Sequence, residues 1–167
     1  MKQLFTIGVF ACAFTISQAQ DIKYGKFTDD EIAKTESKIN KEAAAEVLYS
    51  RADFKVDWNK NVGTLEKTTI VHKRIKVFKK DNTPENVLSI EIPLHKSDGS
   101  SLEKIYSFKA STFNPDGKSM KEFKVNKNEL FKKNIHKNLD IETFAFPNVQ
   151  DGSIIEYTYE INSPFIN

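Results

Sequence analysis

This sequence has almost no cysteine: Cys12 is the only one in 167 residues. It lies in an amino-terminal stretch with the zones of a secretory leader, namely Lys2 as the positive flank, an apolar run from Leu4 to Ile16, and Ser17-Gln18-Ala19 with small residues where a signal peptidase reads. Cleavage between Ala19 and Gln20 is expected, and the cysteine leaves with the leader. The mature chain then has no disulfide, no thiolate metal ligand and no cysteine nucleophile. Cys12 fits a lipid-attachment box poorly, because the apolar run continues past it through Ala13, Phe14 and Ile16.

Long hydrophobic runs are also missing. The leader's run is about thirteen residues, short of the ~20 that a membrane-spanning helix needs, and no later segment is comparably apolar. No transmembrane segment is expected, and the leader directs the chain to the periplasm or cell surface. Strong charge of one sign is absent: 25 Lys and Arg face 23 Asp and Glu, a formal +2 that falls further when Lys2 is lost. Such a balance offers no bulk attraction to nucleic acid or acidic membranes. No nucleic-acid partner is expected.

Motifs that carry chemistry are scarce. There is no G-x-S-x-G turn, phosphate-cradling glycine loop, H-E-x-x-H or calcium-loop spacing. His72, His95 and His136 fall on separate expected elements, none with a second ligand at metal spacing. No metal, no cofactor and no catalytic residue is assigned. A hydrolase using serine with one of these histidines stays open, because triads assemble in space rather than in sequence.

What the sequence does contain is alternation. Thr28-Asp29-Asp30-Glu31 reads as a capping box opening a short helix over about 29–37, a surface lead-in with few apolar residues. Period two then begins: Leu48, Ala52, Phe54, Val56 and Trp58 alternate with Arg51, Asp53, Lys55 and Asp57, and after a turn at 59–63, Leu65, Val71, Ile75 and Val77 alternate with His72, Arg74 and Lys76. These two segments predict an antiparallel hairpin. Further strands are expected over 88–94, ending or lying at an edge at Pro93, over 102–113, over 119–125 behind an Asn114-Pro115-Asp116-Gly117 turn, within 126–135, where a short helix competes, over 139–146 and over 155–161. The reading is a mostly β protein, an antiparallel β-sandwich-like domain with a short N-terminal helix. Residues 20–167 form one domain.

Basic residues are the one visible surface bias, concentrated at His72, Lys73, Arg74 and Lys76 and again over 118–137. As a functional feature, His72, Arg74 and Lys76 form a weak candidate binding surface for anionic groups. As a structural one, they form a solvated strand face, which the near-equal acidic total favours. Trp58, Tyr106, Tyr157 and Tyr159 have the side chains that stack on sugars, yet their alternation places them on expected core faces.

The stretch Phe146-Pro147-Asn148-Val149-Gln150-Asp151-Gly152-Ser153-Ile154-Ile155-Glu156-Tyr157-Thr158-Tyr159 resembles a bacterial domain family of unknown function found ahead of transglutaminase-like domains in exported proteins. His72-Lys73-Arg74-Ile75-Lys76-Val77-Phe78, Ile90-Glu91-Ile92-Pro93-Leu94 and Ala110-Ser111-Thr112-Phe113-Asn114 are similar to other stretches of that family, in the same order. The resemblance implies a β-sandwich-like accessory module, not an enzyme in itself, with the Cys, His and Asp triad belonging to a papain-like domain downstream. This chain, without that domain, is expected to be cut short relative to the family. Expected partners are a transglutaminase-like domain or protein, or a cell-envelope glycan or peptide bound by the module alone.

Overall fold

The computed structural model describes residues 22–165, apart from 62, 98, 99, 102 and 118, and of 100 and 101 only the backbone. The expected leader, its Ala19 and Gln20 cleavage point and Cys12 lie outside the described residues. Among the described residues, no helix is long and apolar enough to cross a membrane.

The chain is mostly β, in two antiparallel sheets. Strands β1 (Ala45–Asn59), β2 (Thr64–Val77), β9 (Ile154–Ser163), β5 (Lys104–Asp116) and β6 (Ser119–Lys124) lie side by side in that order and form the larger sheet. The smaller sheet runs β4 (Ser100–Ser101), β3 (Ser89–Ser97), β8 (Leu139–Ala145) and β7 (Phe131–His136). Helices are short: α1 spans Asp29–Ala33 and α2 spans Glu85–Leu88.

Between the sheets, the alternate residues Ile75 and Val77 of β2, Ile155 and Tyr157 of β9 and Ala110 of β5 meet Ile92 and Leu94 of β3 and Phe144 of β8. Each fully buried aliphatic side chain here contributes roughly 1.5–3 kcal/mol. Phe144 binds the layers most directly, with its ring edge-on to Phe108 at 4.9 Å and to Tyr157 at 5.9 Å. Pro93 behaves as its missing N–H requires. It pairs with Ile141 of β8, while β4 reaches β3 only at Lys96 and Ser97, so Pro93 has an open edge on its other side.

The 126–135 segment resolves its two readings by splitting. Asn126 and Glu129 close a capping box around a single 3-10 turn, and β7 follows as an exposed strand. The turn after β5 is two residues later than expected: Asn114, Pro115 and Asp116 stay in the ladder, opposite Lys121, Met120 and Ser119, and Gly117 takes the positive φ of 61° at the reversal. Helix α1 ends at Ala33, before the expected Ser37, because Lys34 is already extended.

Two expectations about burial are overturned. Trp58 and Tyr106, expected in the core, are exposed. Tyr106 lies at a β-bulge, where the β5–β9 register shifts between Ile105 and Ser107, and the buried Ile105 takes the inward place. For Trp58 the physical reason is length: β1 and β2 have 15 and 14 residues, whereas β3, β8 and β7 have nine, seven and six. At about 3.3 Å per residue, the larger sheet outruns the smaller one. Only the stretch from Val71 to Val77 of β2 meets the core. The second correction concerns Arg74 and Lys76, which are 1% exposed rather than solvated. A third layer, built from Lys23, Phe27, Glu31 and Ile32, lies across the outer face of the larger sheet and covers them.

Candidate functional site

Two features stand out: a charge network under the N-terminal segment and a bare apolar face on the overhanging hairpin. In the ladder between β2 and β9, Arg74 lies directly opposite Glu156, and His72 opposite Thr158. These side chains point away from the core, and α1 together with residues 23–27 closes over them. Arg74 Nη2 donates to Glu156 Oε1 at 2.9 Å and to the Lys23 carbonyl at 3.1 Å, while Nη1 donates to Glu31 Oε1 and Oε2 at 2.9 and 3.1 Å. Phe27 lies against the guanidinium, 4.5 Å from its ring centre.

Glu31 therefore has two tasks. As the third helical residue it accepts the Thr28 N–H at 2.8 Å while Thr28 Oγ1 accepts the Glu31 N–H, which is the expected capping box. The same carboxylate then neutralises Arg74. Glu156 accepts from His72 Nε2 at 2.7 Å and from the Gly25 N–H at 2.9 Å. Gly25 has φ 69°, and a Cβ there would sit 3.5 Å from the Phe113 ring, so a side chain would be strained in this conformation. Tyr24 donates to Ser111 Oγ at 2.9 Å, and Ser111 donates to Glu122 at 2.8 Å. Burial pushes the Tyr24 phenol up, with the Ser111 hydrogen bond opposing it. Lys76 donates to the Ile32 carbonyl at 3.0 Å, and burial lowers its pKa against the pull of Glu31.

The candidate binding surface of His72, Arg74 and Lys76 is therefore brought together, but as a covered structural cluster. Arg74 and Lys76 have no open face to offer an anion. His72 is partly buried between Tyr49 and Tyr24, with ring centres 5.0 and 6.3 Å away. His95 bonds Glu103 and His136 accepts the Asn138 N–H. The three histidines lie on three different strands, β2, β3 and β7. Among the described residues no group of three or more His, Cys, Asp or Glu side chains is placed to hold a metal.

The second basic stretch is also spoken for in part. Asp140 of β8, almost fully buried, accepts from Lys96 at 2.6 Å, from Asn134 at 2.9 Å and from Lys132 at 3.0 Å. The Lys96 hydrogen bond, followed by those from Asn134 and Lys132, holds its carboxyl well below the usual range. Lys121 lies over the Phe123 ring.

The overhang is different. Ala52, Phe54, Val56 and Trp58 of β1 share the inner face with Leu65 across the strand pair. Phe54 is 69% and Trp58 60% exposed, and Val56 and Leu65 are exposed as well. A contiguous apolar row on a sheet face is the kind of surface that monomers seldom leave bare. Nearer the core, a cleft of about 670 Å³ opens between β1–β2 and α2–β3, lined by Glu46, Lys73, Ile75, Glu85, Val87 and Tyr157. No histidine lines it.

No family model matches the chain, and no curated protein does. A solved structure does: a putative protease from Parabacteroides distasonis, with a TM-score of 0.50 and 12% sequence identity over 72% of this chain. The match covers 23% of that protein, so this chain spans under a quarter of the length of the structure it resembles. At this identity the likeness is one of fold.

Proposed function

We propose that this chain is a non-catalytic module of exported bacterial proteins that holds a partner catalytic domain, of transglutaminase-like or protease type, against the overhanging face of β1 and β2. The exposed row of Phe54, Val56, Trp58 and Leu65 carries this reading. Two observations support it. The covered charges are used up in holding the N-terminal layer, and the related fold occurs as a minor part of a much longer protein. The sequence resemblance to a domain preceding transglutaminase-like domains favours the same arrangement.

Trp58 is the only tryptophan in the chain, so its emission reports directly on this face. Titrating in a transglutaminase-like domain free of tryptophan should shift Trp58 emission to the blue, and Phe54→Ser should weaken the response. An unchanged spectrum at saturating domain, or a hydrolase activity of the purified chain abolished by one side-chain change, overturns the reading. A stand-alone glycan- or peptide-binding module is the second reading, favoured by the same bare aromatics. Emission changes on adding peptidoglycan fragments, with none on adding the domain, would select it.

A further inference from the structure

The outer edge of β1 poses a separate question. β1 and β6 are the edges of the larger sheet, and β1 is much the longer. Every residue from Ser50 to Trp58 is exposed, and this stretch contains no proline or glycine. The pairing with β2 is unbroken from Tyr49 to Asn59, because the only irregularity lies between Val47 and Tyr49. A long, regular edge with apolar residues on one face is a template for another strand, and proteins normally blunt such edges.

The charges on β1 do not blunt it. Arg51, Asp53, Lys55 and Asp57 share the outer face and alternate in sign, paired along the strand as Arg51 with Asp53 at 2.8 Å and Lys55 with Asp57 at 2.7 Å. We propose that β1 pairs antiparallel with β1 of a second copy about a two-fold axis through Phe54, joining two larger sheets into one. In that register Asp53 faces the partner copy's Lys55, and Arg51 faces its Asp57, so all four charges meet their opposites on both sides of the axis. Moving the axis one residue, to Asp53 or Lys55, sets like charges opposite one another, which is unfavourable. On the inner face the same register puts Phe54 against its own copy and Ala52 against Val56. The interface is isologous and closes on itself. The pairing is made at the strand edge, and the charges that set its register lie on the opposite face from the docking row, so the two proposals can fail separately.

The test is the molar mass of the purified protein by sedimentation velocity across a concentration series. The expected result is a reversible dimer. Asp53→Lys, which sets lysine against the partner copy's Lys55 twice, should raise the dissociation constant roughly tenfold or more. The exchange Asp53→Lys with Lys55→Asp restores every opposite pairing and should bring the dimer back. Circular dichroism confirms that the variants are folded, and the exchange variant remains informative if the single one is not. A monomer at every concentration, a dimer indifferent to Asp53→Lys, or an exchange variant that stays monomeric overturns the proposal.

Discussion

Arg74 and Glu156 face each other across the β2–β9 ladder, 2.9 Å apart, with 1% and 0% of their surfaces exposed. They lie on the side of the sheet away from the hydrophobic core, so the N-terminal segment is what shields them from water. Breaking a buried pair costs more than never having had one, because the survivor stays charged in a dry place. Glu156→Gln should therefore destabilise the protein by about 3–5 kcal/mol, measured by urea denaturation. Arg74→Met combined with Glu156→Leu should cost less than the sum of the two single changes, and strict additivity would refute the coupling.

Glu31 joins the helix cap to Arg74, so its loss should act locally. The change removes the acceptor of the Thr28 N–H while the Thr28 side chain still caps the helix, a loss of about 0.5–1.5 kcal/mol, and leaving Arg74 with one carboxylate adds to that. Hydrogen exchange of Glu31→Ala should show residues 23–34 opening faster while Ile155 and Phe144 amides keep their protection. Uniform loss of protection would show that the N-terminal layer and the sandwich unfold as one.

Asp140 sets an acid limit. Its carboxyl is held below the ordinary value by Lys96, Asn134 and Lys132, so its contribution is complete above the unfolded pKa of about 4 and is lost as pH falls from there through the folded value. Melting temperatures of wild type and Asp140→Asn should converge toward the acid end of a series starting at neutral pH. A constant gap between the two curves would contradict this.

Tyr157 sets an alkaline limit. Burial, with a smaller contribution from Tyr159, pushes its phenol up to about 12. A raised pKa gives stability that is present below the unfolded value of about 10 and lost as pH climbs toward 12. Tyrosinate absorbance should show late-titrating phenol, fewer in Tyr157→Phe, and stability of the variant should fall less steeply in this window.

The overhang should be nearly silent in stability. Trp58→Ser changes an exposed side chain and should stay within about 0.5 kcal/mol, whereas Ile155→Ala in the core should cost about 2–5 kcal/mol. Binding of a hydrophobic dye should drop in the Trp58 variant alone, and a large destabilisation by Trp58→Ser would mean that its face is packed.

Alternation in β1 and β2 was legible, as were the capping box, the edge position of Pro93 and the sandwich class. What alternation cannot reveal is whether anything lies opposite a given face. Phe54 and Trp58 carry the same pattern as Ile75 and Val77, yet the strands facing them run out first. Polar alternation at Arg74 and Lys76 looked wet because its cover comes from a segment with no periodicity of its own. The hints were Tyr24 and Phe27, two aromatics flanking Gly25 just ahead of the cap. His72, Arg74 and Lys76 were found as a group, and only their partners Glu31 and Glu156 turn that group from a surface into a clasp.

The place of β9 has a consequence for how the chain reaches this state. It is the middle strand of the larger sheet, with β2 and β5 on either side, yet it comes last in the sequence among the strands. His72 and Thr158, paired across β2 and β9, must find each other over more than eighty intervening positions. Pairing at such separation is slow. A chain emerging residue by residue has edges with no centre until β9 appears, so the residues through Ser163 must be present before the sheet can close.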